Sequence, residues 1–206
     1  MRLWRLSLFA VALSFLVPGG ISAQAQQRGP QVIYAQDELP DGETPGVVPD
    51  QQEASTEFQK QVVFFRTNEP PGTLIVHTSE RFLYLVLGNN KALRYGVGVG
   101  RDGFTWQGLH KITRKQEWPD WRPPPEMIER QPYLPRFMAG GPGNPLGARA
   151  LYIGNTIYRI HGTNQPHTIG HAVSSGCFRL VNNDVIDLFE RVEVGTRVIV
   201  RHAPQM

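Results

Sequence analysis

The stretch "ALYIGNTIYRIHG", residues 150–162, decides how this chain folds. β-Branched and aromatic residues flank Gly154-Asn155, a pair suited to a two-residue hairpin turn because both central positions need positive φ. The stretch therefore predicts two antiparallel strands. Along the second, the period of two places Ile157, Arg159 and His161 on one face, with Thr156, Tyr158 and Ile160 on the other.

Upstream, "QVVFF", "TLIVHT" and "LYLVLG" are short strand candidates. "EPPG" and Gly88-Asn89-Asn90 turn the chain between them, and "ALRYGVGVG" follows, so residues 60 to 100 read as a β-meander. Residues 101–149 carry fewer strands and more loop. "EWPDWRPPPEM" packs two Trp and four Pro together, and "AGGPGNPLGA" is a Gly/Pro loop. Long ordered loops in a compact domain are usually functional, so 118–125 and 139–147 are expected to wall a binding site. Downstream, "NNDVIDLFERV" predicts the one helix, capped by Asn182 or Asn183. Its apolar side is Val185, Leu188, Phe189 and Val192 at i, i+3, i+4, i+7. Gly195 ends this segment and "TRVIVR" is a closing strand. With Gly 21 and Pro 17, the expected fold class is mainly β, with long Pro/Gly loops and one short helix in the C-terminal half.

The two ends read differently. Arg2 and Arg5 precede the apolar run "LSLFAVALSFLV", which is short for a membrane span, and "PGG" and "SAQAQQ" follow. Residues 1–25 are thus expected to be a cleaved export signal with no membrane span retained. Residues 26–59 are rich in Gln, Pro, Asp and Glu with too few large apolar residues to bury, and read as a flexible tether. Residues 60–203 form the expected domain. The formal charge of +3 includes Arg2 and Arg5, so removing the leader leaves +1. That balance gives no argument for a nucleic-acid or anionic-membrane partner.

An exported chain with one thiol poses a question. Cys177, in "HAVSSGCFRL", is the sole cysteine. It can be an inert core residue, half of an intermolecular disulfide, or a catalytic thiolate. The small polar "SSG" before it argues against the first. The third needs a base and oxyanion donors, and the amides near Gly176 and Cys177 are candidates for the latter. Six histidines are available: His77, His110, His161, His167, His171 and His202. His161 ends a strand 16 residues before Cys177, a gap that lets a loop bring the chain back alongside. His167, His171 and Cys177 are a poor metal set, since "HTIGH" holds a glycine in a loop and no further Cys or carboxylate completes it. No metal and no cofactor is expected.

"HGTNQPHTIGHAVSSGCFRL" closely resembles the signature of the bacterial L,D-transpeptidase catalytic domain: His-Gly-Thr, a loop, then Ser-x-Gly-Cys-x-Arg. The resemblance extends upstream through "RYGVGVGRDGFTW" to cover roughly residues 60 to 201. It implies a β-rich catalytic fold and a periplasmic enzyme acting on peptidoglycan. Cys177 would be the nucleophile and His161 the base. Ser175 and Gly176 would sit at the oxyanion side, and Arg179 would hold a substrate carboxylate or brace the loop. A backbone carbonyl, Thr163, Ser174 or Ser175 would orient His161. One departure is Ser175, where many members carry a second histidine, and it leaves His161 as the base. The implied donor is a stem tetrapeptide. The implied acceptor is an amine of a second stem peptide or of an outer-membrane protein. Hydrolysis of the same or a neighbouring amide, or an idle peptidoglycan-binding module, are the alternatives.

Overall fold

Gln61–Phe64 (β1), Leu74–His77 (β2), Phe82–Gly88 (β3) and Lys91–Gly96 (β4) form the expected meander, followed by the short Val99–Gly100 (β5). The structure, a computed structural model, describes residues 54–202. The β3–β4 turn places Gly88, Asn89 and Asn90 at φ of 88°, 51° and 56°. Glycine and asparagine tolerate this left-handed region best. β2 and most of β3 are buried on both faces, which is why they read as unbroken apolar runs. Leu74, Val76, Leu83 and Leu85 face the main core, while Ile75, Phe82, Tyr84 and Val86 face a second layer closed by Phe58, Val63 and Phe65.

That second layer moves the start of the domain. Thr56–Phe58 form a 3-10 turn, and the Phe58 ring packs 5.3 Å from that of Phe82. The ordered fold therefore begins before residue 60, because Phe58 has a buried face to fill. The leader expected over 1–25 and most of the tether expected over 26–59 lie outside the described residues.

Gly108–Glu117 (β6) was not legible as a strand. Its ten residues are mostly polar, and Ile112 is the buried one. β6 is the link between the two halves of the sheet. Its first half pairs antiparallel with Arg197–Arg201 (β11) and its second half with Arg149–Ile153 (β7), across an irregularity between Ile112 and Arg114. Arg159–His161 (β8) and Phe178–Arg179 (β10) complete a nine-stranded sheet in the order β1-β4-β3-β2-β11-β6-β7-β8-β10. Two of its pairings, β2–β11 and β8–β10, are parallel. Ala172–Ser174 (β9) pairs with β5 apart from it.

The β7–β8 hairpin departs from the predicted turn. Tyr152 pairs with Arg159 and the Ile153 N–H donates to the Tyr158 carbonyl at 3.1 Å, so Gly154–Ile157 form a four-residue loop. Thr156 closes it: its hydroxyl donates to the Ile153 carbonyl at 2.6 Å and accepts the Tyr158 N–H.

Two α-helices are present among the described residues where one was expected. Pro125–Arg130 (α1) lies inside the proline-rich segment. Pro125 opens it at the first helical position, where a missing N–H is harmless. Asn182–Arg191 (α2) matches its prediction, with Val185, Leu188 and Val192 buried in the main core and Phe189 packed against it. Its cap is different. Val181 precedes the helix without a side-chain cap, and Asn182 reaches sideways instead, accepting the Ala148 N–H at 2.9 Å and donating to the Thr163 carbonyl at 3.0 Å.

Candidate active site

The parallel pairing of β8 with β10 brings the two ends of the signature together. Ile160 lies beside Phe178 and His161 beside Arg179. One residue back along this register, Arg159 falls beside Cys177. Arg159, His161, Cys177 and Arg179 thus occupy one face of the sheet, while Ile160 and Phe178 enter the core. His161, Cys177, Arg159 and Ser175 line a single cleft of about 290 Å³. Its other wall comes from the loops expected there, with Trp121, Pro124 and Leu146.

His161 is 1 % exposed. Its Nδ1 lies 2.6 Å from the Gly162 carbonyl, and a carbonyl can only accept, so Nδ1 carries the proton and Nε2 keeps its lone pair. A backbone carbonyl therefore orients the ring. Thr163 Oγ1 is occupied with the Gln165 N–H, and Ser174 serves the cysteine loop. Burial holds the His161 pKa well below the ordinary histidine value, and the charges of Arg159 and Arg179 push the same way, against the Gly162 hydrogen bond. The imidazole is neutral at pH 7.

The turn before Cys177 is fixed from three sides. Gly176 sits at φ 105°, and a Cβ there would meet the Tyr158 ring at 2.5 Å. The Trp106 indole N–H donates to the Gly176 carbonyl at 2.8 Å and stacks on Tyr158 at 4.6 Å with 9° between planes. Ser174 Oγ donates to the Cys177 carbonyl at 2.6 Å and accepts the Gly176 N–H at 3.1 Å. The Cys177 side chain is partly exposed. Ser175 Oγ is shielded and has no protein partner among the described residues. Arg179 is 1 % exposed and is not part of the cleft lining.

The far wall has a small core of its own. Trp121, Met127, Leu134 and Leu146 cluster together, and Asn144 Nδ2 reaches the carbonyls of Pro119, Met138 and Ala139 at 3.0–3.2 Å. Leu146 N–H donates back to Asn144 Oδ1 at 2.8 Å. Trp106 and Arg130 escaped the sequence reading, and Asn182 entered it only as a helix cap. An aromatic in a glycine-bounded loop, "DGFTWQG", is the one signal that pointed toward Trp106. His167 and His171 are exposed and stay off the cleft lining. Among the described residues no three His, Cys, Asp or Glu side chains converge as a metal set.

A mainly β fold brings a histidine at the end of β8, and a cysteine just before its parallel neighbour β10, to one cleft. Residues 71–200 match the L,D-transpeptidase catalytic domain model, and the chain belongs to that family. It is 40 % identical over 140 residues to the Escherichia coli protein ErfK/SrfK, named a probable L,D-transpeptidase, covering 64 % of this chain and 44 % of that one. It is 37 % identical to YqjB of Bacillus subtilis, named as a candidate L,D-transpeptidase, covering 65 % and 74 %. The chain thus spans less than half of the Escherichia coli relative. An L,D-transpeptidase from Enterococcus faecium shares the fold at 19 % identity and a TM-score of 0.50, over 63 % of this chain and 49 % of that one. A Brucella melitensis structure described as a probable carnitine operon oxidoreductase is 49 % identical over 70 % of this chain and 94 % of its own, with a TM-score of 0.48. Among the described residues no helix is long and apolar enough to cross a membrane.

Proposed function

We propose that this chain is an exported cysteine transpeptidase that works on peptidoglycan in the periplasm. Cys177 Sγ attacks the carbonyl before the terminal D-alanine of a stem tetrapeptide. The S–C bond forms first, giving a tetrahedral oxyanion, and the C–N bond breaks as this collapses to the thioester. His161 Nε2 takes the thiol proton and delivers it to the leaving amine. An acceptor amine, from a second stem peptide or an outer-membrane protein, then attacks the thioester and restores the thiol. With the Gly176 amide engaged by Ser174 Oγ, the Cys177 amide is the donor we assign to the oxyanion. No cofactor enters these steps.

The observation that supports this most is the neutral His161 on the cleft that holds Cys177, its Nδ1 proton held by a carbonyl and its Nε2 free to act. Water in place of the amine would make the same pair a hydrolase, and an unreactive thiol would leave a peptidoglycan-binding module.

Incubation with disaccharide tetrapeptide, read by product mass, separates these readings. Cross-linked dimer supports transfer, tripeptide alone means hydrolysis, and unchanged substrate means binding only. In parallel, a carbapenem-type β-lactam should add one inhibitor mass on the peptide containing Cys177. Labelling by a general thiol reagent without that adduct would mean an exposed but unactivated thiol.

A further inference from the structure

Gly176 leaves a space beside Cys177, and the Tyr158 ring fills it. A Cβ on Gly176 would meet Tyr158 Cε1 at 2.5 Å and Cδ1 at 3.0 Å. One edge of the ring therefore lies against the residue bonded to Cys177. Trp106 covers one face of the ring at 4.6 Å, with 9° between planes. Tyr158 lines the cleft together with Cys177 and His161, while Trp106 is not part of that lining. A strict strand period puts Tyr158 on the face away from His161. Tyr158 escapes that period because it precedes β8, where Thr156 Oγ1 accepts its N–H at 3.1 Å.

The protein leaves the hydroxyl of this side chain unused. Tyr84 donates to Glu80 at 3.0 Å, Tyr95 to Asp187 at 2.6 Å and Tyr152 to Gln116 at 3.5 Å. Tyr133 stands in solvent. Among the described residues Tyr158 Oη meets no donor or acceptor, and it is not one of the polar atoms shut away from solvent. Tyr158 is half-buried, a setting in which a tyrosine hydroxyl ordinarily finds a partner. With one edge and one face of the ring covered by protein, the hydroxyl is what it offers to the cleft. A group already held on two sides loses little freedom when a ligand reaches it.

We propose that Tyr158 is a substrate-binding residue whose hydroxyl hydrogen-bonds the backbone of the donor peptide beside the scissile bond. This rests on the transpeptidase reading above. The choice of partner follows from position and chemistry. The ring lies against Gly176 and the next residue, Cys177, attacks a backbone carbonyl, so the peptide groups that come beside the ring are backbone amides. A phenolic O–H both donates and accepts, which suits an amide N–H or C=O, whereas a carboxylate is better served by a cation. The contact sets where the donor backbone lies relative to the thiol and takes no part in the proton transfer between Cys177 and His161.

The test compares the full wild-type chain with Tyr158→Phe, which keeps the ring and removes the hydroxyl alone. Single-turnover acylation efficiency is measured with three tetrapeptide donors: unmodified, with a terminal carboxamide, and with the third-residue side-chain carboxylate amidated. Loss of one neutral hydrogen bond should lower the efficiency about 3- to 10-fold, by the same factor for all three donors. Alkylation of Cys177 by iodoacetamide, which carries no peptide, should stay within about twofold of wild type, and Tm should not change. Equal acylation of the two proteins by the unmodified donor overturns the proposal. A matching slowdown with iodoacetamide overturns it too, by placing the hydroxyl's effect on the thiol. A factor that disappears with one amidated donor assigns the contact to that carboxylate instead of the backbone, and a clear fall in Tm gives the hydroxyl a partner within the protein; either result overturns it. If the wild type is acylated by none of the three donors, the transpeptidase reading falls and the role of Tyr158 with it.

Discussion

The indole N–H of Trp106 donates to the carbonyl of Gly176 across 2.8 Å, while its ring lies flat against Tyr158. One side chain thereby ties Gly176, the residue before Cys177, to Tyr158, the residue that precedes β8. Trp106→Phe keeps much of the ring contact and removes the donor, leaving the Gly176 carbonyl without it. Acylation of Cys177 by a carbapenem should slow about 10-fold, on the scale of one lost hydrogen bond, with little change in Tm. Trp106→Ala should lower stability as well. A phenylalanine variant acylated at the wild-type rate would show that the turn holds itself.

Cys177→Ala should fold normally and produce no turnover on muropeptides. His161→Ala should retain a thiol that labels slowly at neutral pH and recovers at alkaline pH, where a thiol ionises unaided. Full neutral-pH activity in the histidine variant would move the base elsewhere, although His167 and His171 lie off the cleft lining.

His161 also makes a prediction in the pH dimension. Burial, then Arg159 and Arg179, depress its folded pKa below 6.5, while the unfolded chain takes up a proton near about 6.5. The stability tied to neutral His161 is fully present above that value and is lost as pH falls below it. Imidazole NMR of histidine-labelled protein should show this ring titrating below pH 6.5, and Arg159→Gln should shift the midpoint upward. A titration at or above 6.5 would mean the ring is not desolvated.

Two aspartates on α2 oppose each other at lower pH. Asp187 is lowered to about 2 by Arg191, with Tyr95 and Lys60 adding hydrogen bonds, against its own burial. Its contribution is present above the ordinary carboxylate value and is lost as pH falls toward 2. Asp184 is raised to about 6 by burial, so it weakens the fold as pH rises from about 4 to 6. Asp184→Asn should therefore raise Tm at pH 7 and do much less at pH 4. An equal gain at both values would assign the effect to something other than charge.

Asn182 joins the loop at Ala148 to the strand end at Thr163. Asn182→Ala strands a buried amide and a carbonyl, which should cost about 1–3 kcal/mol in chemical denaturation. Thr163 follows the carbonyl that orients His161, so acylation should slow in the same variant. A stability loss with unchanged acylation would separate the brace from the site.

The sequence carried the strands whose apolar pattern is local, β2 and β3 above all, and the apolar face of α2. The family signature also pointed to His161 and Cys177, which line one cleft. β6 stayed hidden, since a ten-residue strand with Ile112 as its buried residue has no apolar rhythm, and its partners are far away in sequence. Asn182 looked like a helix cap because its type and place fit one; only the packed structure brings Ala148 and Thr163 to its two ends. The three successive prolines masked α1, which begins on the last of them.

The far wall of the cleft begins and ends on one rung of the ladder. Glu117 closes β6, Arg149 opens β7, and the two are paired across the sheet. The segment between them packs around Trp121, Met127, Leu134 and Leu146, a cluster apart from the main core. A segment whose ends are already held together is freed from any particular length, since doubling a loop adds only about 0.6 kcal/mol of closure entropy. Such an arrangement is modular: exchange of residues 118–148 between relatives can change which peptides enter the cleft while Cys177 and His161 keep their strands. Divergence in specificity within this fold then has a cheap route, through replacement of one self-packed insert.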